Sequence, residues 1–145
     1  MSNKLPSYFT FFIGGLLNGF SFFSSILIPF SILGHYLLIK GLFSKNRKFN
    51  TLLSGWLFGV GFFLTSMHWI VNPFLIYEEH KTLAPFVLII FPSLMGLFFI
   101  IPCILIKKFI NFQKIYDFFL TKVFLISFFF FISEFLRSNI FGGLP

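Results

Sequence analysis

The sequence predicts an all-α, polytopic transmembrane helix bundle, and three observations predict it. Hydrophobic residues make up 57% of the 145 and charged ones only 10%, against roughly 45–50% and about 25% in a soluble domain. Mean hydropathy is +0.95. The 11 Lys and Arg fall between apolar runs rather than along one face, so the net charge of +7 marks membrane topology and not a nucleic-acid surface. The 28 Phe residues are given no functional weight, because codon bias alone produces such a composition.

The first uncharged stretch, 8–39, would measure roughly 48 Å as a single helix, well beyond the about 30 Å of a hydrocarbon core. Ser24, Ser25 and Pro29 mark its weak point, which predicts an N-terminal helical hairpin of helices at 8–24 and 29–43. No small-x-small cleavage site precedes Pro29, so the hairpin outranks a cleavable signal peptide. Lys45, Arg47 and Lys48 then mark an exposed loop. A third helix is expected at 51–72, closed by Asn72 and Pro73, followed by a polar connection with Glu78, Glu79, His80 and Lys81. The fourth, 85–106, contains Pro92 and Pro102 and is expected to bend or unwind locally. Beyond Lys107, Lys108 and Lys114, with an interfacial helix expected up to Tyr116, the fifth helix runs 118–136.

Five spans with a cytoplasmic amino terminus place nine of the 11 basic residues inside, leaving only Lys81 and Arg137 outside. A single span over 8–39 would reverse the Lys40 to Lys48 cluster, so length and charge agree on the hairpin.

Several residues are candidates for a site. Glu134 and Arg137 lie one turn apart, where they can neutralise each other near hydrocarbon; a structural ion pair ranks ahead of a catalytic role. His68, Trp69 and Asn72 form a polar, aromatic patch at the outer end of helix three, suited to a lipid headgroup or another domain, with an interfacial belt the simpler reading. Gly15 and Gly19, and Gly55 and Gly59, form two G-x-x-x-G pairs that admit a close contact between helices one and three. His35, His68 and His80 are expected far apart, so no metal site is anticipated, and no cofactor motif is present. Cys103, the one cysteine, reads as an inert buried thiol.

The block Gly55-Trp56-Leu57-Phe58-Gly59-Val60-Gly61-Phe62-Phe63 leading to His68-Trp69-Ile70, then Ser133-Glu134-Phe135-Leu136-Arg137 and Gly142-Gly143-Leu144-Pro145, resembles the amino-terminal membrane part of apolipoprotein N-acyltransferase. The Pro29-Phe30 break fits it too, and the resemblance covers essentially the whole chain. It implies acyl transfer from a membrane phospholipid to the amine of a diacylated lipoprotein, on the outer face of the bacterial inner membrane, without a cofactor. The reaction would run through a thioester on a cysteine assisted by Glu and Lys in a C-terminal nitrilase-like domain. The chain ends at Pro145, before such a domain, so a fragment without activity of its own is expected. Cys103, in helix four toward the cytoplasmic side, does not replace that nucleophile. The alternative from another class is a small polytopic transporter or assembly factor, with Asn18, Pro92 and Pro102 along a broken-helix path.

Overall fold

Side-chain to backbone bonds decide where the helices start and break. The computed structural model describes residues 8–44, 50–112 and 119–140, and every regular element among them is helical. The loop lysines Lys45, Lys48 and Lys114 with Arg47, the segment to Tyr116, and Gly142 to Pro145 lie outside the described residues.

Helices α1 (Tyr8–Phe20) and α2 (Ile28–Leu42) form the hairpin. Its tip is a turn over 21–23 and a 3₁₀ segment, Ser25–Leu27, capped by Ser24 Oγ accepting from the Ile26 N–H at 3.4 Å. Pro29 opens α2 in its first turn, where its missing N–H costs nothing. Ser31 Oγ donates to Asn18 Oδ1 across the hairpin at 2.5 Å, which fixes its antiparallel register.

Helix α3 (Thr51–Ser66) starts at an Asn50 cap, with Oδ1 accepting from Leu52 at 2.9 Å. It runs parallel to α1, since the Asn50 N–H donates to Tyr8 Oη and Thr65 Oγ1 reaches the Leu16 carbonyl. Gly15 and Gly19 lie directly on the α3 backbone at Phe58 and Phe62, Gly19 also on the Thr65 side chain, and Gly61 of α3 lies on Phe12 and Leu16. Gly55 and Gly59 do not face α1. They meet Phe99, Ile100, Cys103 and Gly96 on the other neighbour.

The third helix is not continuous to 72. It ends at Ser66, and the chain turns by 65° into the His68–Ile76 stretch, a 3₁₀ segment, His68–Val71, and α4 (Asn72–Ile76). Pro73 therefore opens a helix instead of closing one. The segment Glu78–Leu83 is a 3₁₀ turn carrying an ion pair between Lys81 and Glu78. Helices α5 (Ala84–Gly96) and α6 (Ile100–Phe112) form the next leg, interrupted by 3₁₀ winding over Leu97–Phe99. At that break the Leu97 N–H turns to Leu94, and Trp56 Nε1 takes the Ser93 carbonyl at 2.9 Å. Helix α7 (Phe119–Ile140) runs four residues past the expected end, so Arg137 lies inside it.

Among the described residues three stretches are long and apolar enough to cross a membrane, Ser25–Leu42, Glu78–Phe109 and Leu120–Ile140, and the bent pair Thr51–Ser66 with His68–Ile76 makes a fourth. At 13 residues, α1 spans only roughly 20 Å on its own. The core is built mostly from phenylalanine, with Phe11, Phe58, Phe63 and Phe99 packed around Leu38, Met95 and Cys103. Phe99 sits at its centre, its ring 5.2–5.7 Å from those of Phe58, Phe62, Phe63 and Phe130.

Candidate functional site

At the end of the bundle where α7 finishes, an acid and a base are held against the phenylalanine core. Arg137 is 5% exposed and donates to Glu134 Oε2 from Nη2 at 2.6 Å and from Nε at 2.9 Å. Its guanidinium also lies over the Phe63 ring, 5.5 Å from the centroid. The i, i+3 spacing places both groups on one face, and the carboxylate offsets a cation that hydrocarbon alone would not tolerate. One turn earlier, Ser133 Oγ donates to the Phe98 carbonyl at 2.6 Å. Position 102 is proline and supplies no N–H to that carbonyl, so the break in one helix becomes the anchor of another.

The end of α3 is shaped by hydroxyls bonding back along the helix. Thr65 Oγ1 donates to Gly61 O at 3.1 Å and Ser66 Oγ to Phe62 O at 2.9 Å, a pattern that bends helices. His68 Nδ1 lies 2.9 Å from the Thr65 carbonyl; a carbonyl only accepts, so this nitrogen carries the proton. The imidazole stacks on Phe23 of the hairpin tip at 5.1 Å between centroids. Trp69, after the bend, is half-exposed, and Asn72 is exposed at the start of α4.

Between the hairpin tip, the end of α3 and the end of α7 lies a cavity of about 540 Å³. Its walls are apolar, Phe22, Phe62, Phe63, Phe99 and Phe130 among them, and its polar groups are Trp69, Glu134 and Arg137 together with Asn18, Ser21, Ser31, His35 and Ser66. Of the residues singled out from sequence, Trp69, Glu134 and Arg137 thus come together. His68 braces the tip beside the cavity, and Asn72 does not line it. Ser31 and His35 were not expected there, and Asn18 was singled out only as part of a broken-helix path in the transporter alternative. Each is an isolated polar residue in an apolar helix, which is a signal, but their convergence depends on the hairpin register. Among the described residues no three His, Cys, Asp or Glu groups come together to hold a metal.

A phenylalanine-walled chamber with a paired cation at its rim suits an amphiphile, with its chain inside and its polar part at the arginine. Residues 9–145 match the model of the apolipoprotein N-acyltransferase N-terminal domain. The chain belongs to that family. It is a membrane protein with several spans, and the family is one of acyltransferases. No curated protein and no solved structure gives a match. The family match takes in α1 to α7, so the cavity, its rim and the hairpin that roofs it all belong to the shared domain.

Proposed function

We propose that this chain is the membrane platform of a lipoprotein N-acyltransferase and that the 540 Å³ cavity seats an acyl chain of a lipid substrate, with the Arg137–Glu134 pair at its polar rim. The substrates are a membrane phospholipid and a diacylated lipoprotein, and the membrane is the bacterial inner membrane. The thioester chemistry belongs to a nitrilase-like domain outside these residues, docked over the cavity, and these 145 residues alone transfer no acyl group. Five legs cross the bilayer, with α1 and the turn after it as the short first span and the amino terminus in the cytoplasm. Lys40, Lys107, Lys108 and Lys122 lie at one end of the bundle, and Lys81 and Arg137, with Glu78, Glu79 and Glu134, at the cavity end. This asymmetry supports an outward-facing cavity.

The observation that carries the reading is the buried Arg137 at the mouth of a phenylalanine chamber, in a domain whose whole length matches the family. Replacing both partners, Glu134→Leu with Arg137→Met, removes the charges while keeping volume, and leaves neither the buried guanidinium nor its half-exposed partner as a lone charge. In the complete acyltransferase this double variant should reach wild-type abundance. Its KM for a diacylated lipopeptide or for phospholipid should rise about tenfold or more, the worth of a charge-assisted contact. Wild-type KM and kcat for both substrates would remove the cavity rim from substrate binding.

A further inference from the structure

A second cavity, of about 800 Å³, lies between α2 and α7 and shares Ser31 and His35 with the one at Arg137. The two follow one stripe. Along α7 the residues lining them include Val123, Ser127, Phe130, Glu134 and Arg137, three or four apart and so on the same face of the helix. Ser31, His35 and Ile39 repeat that spacing on α2. At the junction His35 meets Phe130 edge to face, with ring centroids 5.1 Å apart, so the passage is narrowed by side chains and not by backbone.

The polar groups at this junction are turned onto the protein. Ser31 Oγ donates to Asn18 Oδ1, and His35 Nδ1 lies 2.9 Å from the Ser31 carbonyl, which only accepts, so the proton of each is committed. Hydrocarbon can pass without leaving a donor unpaired. Length then decides where a chain must end. From Arg137 to Phe130 the α7 axis rises about 10 Å, whereas a membrane-lipid chain covers about 15 Å, half of a hydrocarbon core of about 30 Å. The cavity at Arg137 therefore stops short of a full chain laid along α7. Continued past His35 and Phe130, the same chain reaches Ile126 and Ser127, about 15–16 Å from Arg137 at 1.5 Å per residue.

Resting on the reading of the Arg137 cavity as an acyl seat, we infer that the two cavities form one slot for a single acyl chain, and that the depth at Ile126 and Ser127 selects chains by length. His35 and Phe130 hold the middle of the chain, and the distal cavity takes its methyl end. The chain belongs to a phospholipid or to a diacylated lipopeptide, two sources of the same hydrocarbon.

The test is native mass spectrometry of the full chain, released from detergent after incubation with an equimolar mixture of a dipalmitoyl and a didecanoyl ligand. One arm uses phosphatidylethanolamines and the other diacylated lipopeptides, so the arm that responds identifies the source. Ser127→Leu blocks the slot at its distal end, and the ratio of palmitoyl to decanoyl ligand retained should fall roughly tenfold, the worth of a misfitted chain end in an apolar pocket. Decanoyl ligand still held by the variant shows that it is folded. Ile126→Phe, a second obstruction at the same depth, should act in the same direction. A ratio equal to that of the unsubstituted chain in both variants and both arms would overturn the proposal, as would loss of the two lengths in equal measure by both variants. Glu134→Leu with Arg137→Met tests the underlying seat separately: it should lower retention of both lengths alike. If it does so while the Ser127 and Ile126 variants leave the ratio unmoved, the selection by length is wrong and the seat stands; if it changes nothing, the seat itself is wrong.

Discussion

Two sides of the bundle are held together by different physics. Where α3 meets α1 and α5, glycines bring backbone onto backbone, and α3 buries Ser54, Gly55, Phe58, Gly59, Gly61, Phe62 and Phe63. Helix α7, from Leu120 to Ile140, buries only Phe129, Ser133 and Arg137, a single stripe at four-residue spacing. Its attachment is a few polar bonds and rings: Ser133 to the Phe98 carbonyl, Phe130 on Phe99, Arg137 over Phe63. Shape holds one side and polar pinning the other, and the cavity at Arg137 and a second one between α2 and α7 both lie beside the pinned helix. Close packing leaves no room for a ligand, so the cavities occur where packing is least complete.

The largest effect should come from breaking the close-packed side. A Cβ at Gly59 would come within 2.7 Å of the Gly96 Cα, and backbone cannot step aside as a side chain does. Gly59→Leu should cost about 3 kcal/mol, the upper part of the range for overpacked cores. Adding comparable bulk on α7 at the exposed Ser127 should cost within about 0.5 kcal/mol. Unfolding midpoints of the two variants in detergent check the contrast; equal losses would mean that the two sides are packed alike.

A smaller effect should come from the pin itself. Ser133→Ala removes the bond to Phe98 and should cost about 1 kcal/mol. Pro102→Ala gives the Phe98 carbonyl a helical N–H, so the serine should matter less in that background. A double-mutant cycle reads this coupling. Simple additivity would show that Ser133 does not serve the carbonyl left by the proline.

Much of this was legible in the sequence. Length and Pro29 gave the hairpin, and the i, i+3 spacing gave the Glu134–Arg137 pair. Pro92 and Pro102 bracketed the break that falls at Leu97–Phe99. The bend at Ser66 escaped because hydropathy runs straight through it; its cause is the donors of Thr65, Ser66 and His68, which a hydrophobic pattern does not register. The glycine pairs could be found but not matched. Gly59 and Gly61 are two residues apart and so point to opposite sides of α3, and spacing alone does not say which side meets α1. The Asn18–Ser31 bond joins residues 13 apart and exists only once the hairpin has closed.

The central claim is that the cavity end faces out of the cell and the lysine-rich end faces in. Single cysteines at Asn139 and at Lys107, each with Cys103→Ala, can be probed in cells with a membrane-impermeant maleimide. The account predicts labelling of Asn139→Cys in cells whose inner membrane is intact, and of Lys107→Cys only after that membrane is permeabilised. The reverse pattern, or both positions on one side, would contradict it.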